Sequence, residues 1–163
     1  MDSVVREWRA GDGAAIAGIC GDPEVCAWAA IPWERDLAAL EAWVARQREA
    51  HGGRQLSMAI SDGGDAVGWV GLWPVEGHAE LGYWILPEAR RRGLTLRAAR
   101  VVATWGFEVA GFPEIRLHTG AHNAGSRRIA ERLGARQLPE PVPATDQGGR
   151  EHLLVGYVLR APG

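Results

Sequence analysis

Ala79-Glu80-Leu81-Gly82-Tyr83-Trp84-Ile85-Leu86-Pro87-Glu88-Ala89-Arg90-Arg91-Arg92-Gly93-Leu94-Thr95 is the stretch on which the reading of this chain turns. Its first half reads as a strand. Pro87 ends that strand, because proline has no N–H for the ladder and restricts the residue before it. Three consecutive arginines and a glycine come next, and a helix opens after them. A strand that runs through a basic, glycine-containing turn into a helix suits a phosphate group. The first helical turn presents unpaired N–H groups and the positive end of the helix dipole. Gly93 lets backbone approach an anion closely, and guanidinium groups add forked donors beside it. Taken alone, an arginine run ahead of a helix equally describes a solvated turn.

Working outward, residues 4–8 read as a first strand and the Ala-rich residues 12–19 as a helix. Pro23 and Pro32 divide the next stretch into short turns. Trp33-Glu34-Arg35-Asp36 opens a helix in which Leu37, Leu40, Trp43 and Val44 recur at helical spacing to about Glu49, where His51-Gly52-Gly53 stops it. Residues 55–60, 66–73 and 78–86 form a three-strand meander, with turns at Asp62-Gly63-Gly64-Asp65 and Glu76-Gly77. Downstream come a helix over 95–109, a strand over 115–119, a helix over 126–133, a short strand over 135–138, a Pro- and Gly-rich loop over 139–149 and a final strand over 151–159. Short turns make the meander antiparallel, and the later strand-helix-strand pieces must cross over. The expected product is one domain over residues 1–163 with an α/β (α+β) layered fold: a mixed, mostly antiparallel central sheet of about seven strands with helices on both faces.

Composition narrows the function. Apolar residues make up 47% of the chain and charged residues 23%, and the net charge is −2. No basic stripe points to nucleic acid and no apolar run is long enough for a membrane span, so neither partner is expected. All 18 basic residues are arginine, which excludes lysine-based chemistry. Cys20 and Cys26 fit neither a zinc pair nor a redox motif, and the expected setting is cytoplasmic. His118 and His122 are four apart across a strand-to-loop junction rather than on one helix face, so no metal site is expected there.

The turn Arg90-Arg91-Arg92-Gly93-Leu94-Thr95 resembles the acyl-CoA-binding motif of the GNAT superfamily of N-acetyltransferases: Gln or Arg, two residues, Gly, one residue, then Gly or Ala. The strand Glu80-Leu81-Gly82-Tyr83-Trp84-Ile85 looks like that of the RimJ/RimL branch, which acetylates protein N-termini. Asn123-Ala124-Gly125-Ser126, then Ile129-Ala130-Glu131-Arg132-Leu133-Gly134-Ala135, is similar to that branch's Asn-x-x-Ser helix entry and Leu-Gly-Phe ending. Thr95 stands in place of the usual Gly or Ala, Gly125 in place of Ala, and Ala135 in place of Phe.

The resemblance implies acetyl-CoA as co-substrate, no metal, a primary amine as acceptor (a protein N-terminus or a small molecule), and a monomer or homodimer. Backbone amides of Arg91, Arg92, Gly93, Leu94 and Thr95 would hold the pyrophosphate, and the side chains of Arg90, Arg91 and Arg92 would reach a phosphate. Ile85 and Leu86 would pair with the pantetheine arm, and Asn123 would contact it through its amide. For direct amine attack, Glu80 is the expected general base, with His78 as competitor. Ser126 is the expected acid, or a helix cap, with Tyr83 and Tyr157 as weaker acids. Residues 26–37 and 139–150 would wall an acceptor groove furnished by Trp28, Trp33 and Trp73, and Tyr83 is a further substrate candidate. Arg127-Arg128 face either a 3′-phosphate or solvent. A non-catalytic acyl-CoA-binding module of the same fold is the alternative.

Overall fold

The computed structural model describes residues 3–161. Its strands are β1 (Val5–Arg6), β2 (Leu56–Asp62), β3 (Asp65–Val75), β4 (His78–Ile85), β5 (Glu114–Thr119), β6 (Arg136–Gln137), β7 (Val142–Thr145) and β8 (Glu151–Arg160). They form one eight-stranded sheet in the order β1-β2-β3-β4-β5-β8-β6, with β7 also paired to β8. Every adjacent pair is antiparallel except β4 and β5. The expected mixed, mostly antiparallel sheet is therefore present, with eight strands in place of about seven. The extra strand, β7, lies inside the Pro-rich 139–149 segment, where Pro143 hid it: proline is tolerated in a strand only at an edge, and β7 is one.

The helices are α1 (Asp12–Ala15), α2 (Pro23–Ala29), α3 (Leu37–Glu49), α4 (Leu94–Glu108) and α5 (Ala124–Leu133). Three differ from the sequence reading. The helix expected over 12–19 stops at Ala15 and gives way to a 3-10 turn, Ala17–Ile19. Residues 23–29 form a helix rather than turns, because Asp22 accepts from the N–H groups of Glu24 and Val25 and Pro23 occupies the first helical position, where its missing N–H costs nothing. α3 begins at Leu37 rather than Trp33, because Asp36 accepts from the N–H groups of Ala38 and Ala39 and so fixes the start. Such a cap contributes about 1 kcal/mol.

Strand pairing assigns the faces. Trp69, Gly71 and Trp73 of β3 lie opposite Trp84, Gly82 and Glu80 of β4, and directly paired residues share a face. Trp43 of α3 packs on Trp84 at 5.8 Å and on Trp8 at 5.3 Å, so this face carries α3. The alternate residues Val70, Leu72, Ala79 and Leu81 are buried and face α4, where the Cα of Gly106 rides close above Leu72 and Ile115. A side chain at position 106 would meet both, so the glycine sets how closely α4 approaches the sheet. Tyr83 and Ile85 share this α4 face.

Candidate active site

The sheet opens at its centre. β4 and β5 pair only at Ala79 with Ile115 and Glu80 with Arg116, although β4 runs on to Ile85 and β5 to Thr119. Past Glu80 the two parallel strands diverge, and the β5-facing edge of β4 has no ladder partner among the described residues. Leu86 donates its N–H to Val67 O on the β3 side. Backbone groups alternate in direction along an extended strand, so the N–H and C=O of Ile85 face the opening. Leu86 departs from its expected role. Its N–H is taken by Val67 and its C=O already accepts from Ala89, which leaves no free donor for a ligand.

At the end of β4 the chain passes through a 3-10 turn, Pro87–Ala89, and reaches the arginines. Arg91 and Gly93 both have positive φ, 62° and 74°. Gly93 is the N-cap of α4, and no side chain among the described residues caps that helix. Among the described residues no acceptor meets the N–H groups of residues 91–96; the next one, Arg97, bonds Gly93 O. These are the unpaired donors of a helix start, extended backward by a left-handed turn into an anion-binding concavity. An ideal Cβ on Gly93 would have no atom within 4 Å, so the space over the turn is open. These donors face a concave turn, and their chemistry fits a pyrophosphate.

The three guanidinium groups do not act together as expected. Arg90 pairs with Asp22 at 3.4 Å, and Arg92 is held by both oxygens of Asp62 at the β2–β3 turn. Arg91 alone of the three makes no ion pair or hydrogen bond with a described residue. Thr95 is buried at the helix entry and its hydroxyl bonds no described residue.

Glu80 lies on the α3 face. Its Oε1 is 3.6 Å from His118 Nδ1 and 3.9 Å from His78 Nε2, and its side chain is 28% exposed. His78 donates Nδ1–H to Glu76 O, which fixes it as a turn histidine with Nε2 toward Glu80. Burial pushes the His118 imidazole below its usual range; Glu80 opposes that shift, while Arg116 and His78 reinforce it. A histidine so placed is neutral near pH 7 and able to accept a proton. Sequence spacing presents His118 only as a metal candidate, to be set aside. The missing signal is register: the parallel pairing of Glu80 with Arg116 puts His118, two residues on, at the same face. His122 is elsewhere, bonded to Glu24.

Ser126 and Tyr83 meet on the opposite, α4–α5 side. The Tyr83 hydroxyl donates to Ser126 O at 3.2 Å and lies 3.2 Å from Ser126 Oγ. Burial pushes the Tyr83 phenol up to about 12, partly offset by the bond to Ser126. Ser126 is not the helix cap. Asn123 is, accepting from Ser126 N, and its Nδ2 donates to Glu24. The Asn123 amide is thus occupied within the protein instead of facing the opening. Tyr83 is likewise parted from the other substrate candidates: Trp73 shares the Glu80 face, and Trp33 stands 62% exposed between α2 and α3. Trp28 packs on His152, and Gln147 N–H donates to Ala27 O, so the two segments expected to wall a groove do touch. Arg127 donates to Tyr157 OH and Ala121 O.

The model of a GNAT acetyltransferase domain matches residues 3–136. The chain belongs to the GNAT acetyltransferase family. YdaF of Bacillus subtilis strain 168, provisionally named a ribosomal N-acetyltransferase, is 31% identical over 81 residues, which is 50% of this chain and 44% of YdaF. The chain thus aligns with less than half the length of that relative. Among solved structures, Mycobacterium smegmatis RimJ in complex with CoA-disulfide superposes with a TM-score of 0.73 at 22% identity, covering 93% of this chain and 79% of RimJ. A Vibrio cholerae protein, provisionally a ribosomal-protein-serine acetyltransferase, gives 0.78 at 16% identity, covering 99% and 96%. The opened sheet and the uncapped α4 turn are the parts of this GNAT domain that offer backbone donors. Among the described residues no group of three or more His, Cys, Asp or Glu side chains is arranged to hold a metal, and no helix is long and apolar enough to cross a membrane.

Proposed function

We propose that this chain transfers an acetyl group from acetyl-CoA to a primary amine by direct attack in a ternary complex. One observation carries the reading: a run of free N–H groups at residues 91–96 ends a strand whose other edge opens at Glu80. The backbone of residues 91–95 holds the pyrophosphate, with the unpaired Arg91 guanidinium beside it. Ile85 offers N–H and C=O to the extended pantetheine arm, and a backbone N–H in that position suits the carbonyl oxygen as it gains charge. Acetyl-CoA supplies the electrophilic thioester carbonyl. On the α3 face Glu80 takes the proton that the ammonium must lose, directly or through a water, and the neutral His118 is a second acceptor beside it. On the α4 face the hydroxyl of Ser126, held by Tyr83, serves the departing thiolate. Attack forms the C–N bond and puts charge on the carbonyl oxygen, and its collapse breaks the C–S bond. Of the two protons the nitrogen loses, one passes through Glu80 to solvent and the other ends on the thiolate, with Ser126 passing on its own proton only as it receives one from solvent. Holding the two substrates in line does much of the work.

The acceptor is an N-terminal α-amine or a small-molecule amine; the provisional name of YdaF, a ribosomal N-acetyltransferase, fits an acceptor on a protein. Free-thiol release from acetyl-CoA, measured against a panel of peptides and small amines, tests the proposal. Amine-dependent release is the expected result. Binding of CoA with no turnover on any acceptor would establish a non-catalytic acyl-CoA-binding module instead.

A further inference from the structure

We infer that the acceptor amine is carried on a planar aromatic group, which stacks on Trp69 and Trp73 while Glu80 holds the ammonium. The inference rests on the acetyl-transfer reading above and concerns the α3 face of the opened sheet.

Trp69 and Trp73 lie on that face with their rings nearly parallel, 26° between planes and 6.2 Å between centroids. Two glycines make room for them. Gly71 separates them on β3, and Gly82 is its partner on β4. An ideal Cβ on Gly82 would lie 3.0 Å from Trp69 Cζ3 and 3.0 Å from Trp73 Cη2, and one on Gly71 would collide with the Trp69 ring. The indoles therefore converge over a floor from which side chains are absent. That floor is at the mouth of the opening, because Gly82 is the first residue on this face past the last β4–β5 pair at Glu80.

Trp69 is anchored. Trp69 Nε1 donates to Ser57 Oγ, which donates to Gln47 Oε1, both at 2.9 Å. Trp73 Nε1 makes no hydrogen bond with a described residue, and both indoles are only half-buried. Trp73 sits directly across from Glu80. The nearby cation on β5, Arg116, is engaged by Glu114 rather than Glu80. An apolar, flat surface beside a carboxylate without an arginine partner matches a ligand with a ring at one end and an ammonium at the other. A ring gains stacking energy on an indole beyond the area it buries, and an ammonium near the indole face is attracted as well.

Two matched pairs of probes test this and distinguish its source. Phenethylamine against cyclohexylethylamine covers small amines. Peptides beginning with phenylalanine against the same peptides beginning with cyclohexylalanine cover chain termini. Each is titrated by calorimetry in the presence of saturating CoA, and each is assayed for thiol release. The aromatic member of at least one pair should bind roughly three- to ten-fold more tightly, the size of a stacking interaction. Trp73→Ala should bring the ratio to about one while CoA affinity stays unchanged, and Trp73→Phe should keep the preference. Retained CoA affinity shows that a variant is folded. Equal binding of both members in both pairs, or a ratio unaffected by Trp73→Ala, overturns the inference. Aromatic preference in calorimetry without thiol release from any amine would instead overturn acetyl transfer and leave the indole subsite standing.

Discussion

The β4–α4 turn and the Glu80 face are built in opposite ways. The turn is a backbone device: six successive N–H groups, two positive-φ residues and no side-chain cap. Two of its three arginines are bound to the protein's own carboxylates. The Glu80 face is a side-chain device assembled from β3, β4 and β5, where a carboxylate, two histidines and two indoles meet through strand register alone. A backbone site tolerates changes of side chain but not of conformation. A side-chain site is the reverse.

The sharpest way to break that contrast is at Gly93. Gly93→Glu forces a non-glycine residue to φ near 74° and puts a carboxylate over the phosphate cradle. CoA affinity should fall by at least ~100-fold, from strain and charge repulsion together. Gly93→Ala should lose roughly 5- to 30-fold at most, because strain alone is roughly 1–2 kcal/mol and the Cβ meets nothing. Calorimetric titration of CoA, with the ligand-dependent rise in melting temperature as a second readout, measures both. Tight CoA binding by the Glu variant would mean that the phosphate lies elsewhere.

The same contrast explains what is legible in the sequence. The turn is local, so its strand, arginines, glycine and helix are all visible in seventeen consecutive residues, and most of the meander comes from short turns. The Glu80 face is only partly visible. Glu80 and Trp73 can be picked out, but His118 and Trp69 depend on which residues of three strands lie opposite one another, and no local pattern states that. Leu86 and Asn123 mislead for a related reason: their polar groups are taken by Val67, Ala89, Ser126 and Glu24, partners up to ninety-nine residues away. Helix α2 is hidden because prolines flank and open it and read as breakers, although Pro23 stands directly after a capping aspartate.

On the side-chain device, Glu80→Gln should cut kcat by roughly 100-fold, the lower range for losing a general base, with CoA affinity unchanged. Steady-state kinetics and CoA titration on the same preparation separate the two effects. A kcat within two-fold of the wild type would remove Glu80 from the chemistry and with it the functional half of the comparison.

The coupling inside that face can be read without turnover. Burial lowers the His118 pKa below 6.5, and the Glu80 carboxylate raises it in part. A group with a lowered pKa holds its neutral form to lower pH. The His118 ring resonances should therefore titrate with a midpoint below 6.5 in the wild type, and lower still in Glu80→Gln, where the opposing carboxylate is gone. NMR titration, with His118→Asn to assign the signal, gives both midpoints. A rise in the Glu80→Gln protein would show that the two groups do not interact as their 3.6 Å separation requires.

The smallest expected effect is on the far face. Tyr83→Phe keeps the ring and removes only the hydroxyl that bonds Ser126, at a cost of about 1 kcal/mol in stability and a few-fold in kcat. Ser126→Ala should be similarly mild in stability, since Asn123 rather than Ser126 caps α5. Alkaline titration ties these losses to the geometry. The chain has two tyrosines, and Tyr83 should ionise only near pH 12 because its phenolate would be buried. The absorbance change near pH 12 should shrink in Tyr83→Phe. If that change were unaltered while kcat still fell, the Tyr83–Ser126 pair would have to act through packing, and the far face would hold the carrier without serving the departing thiolate.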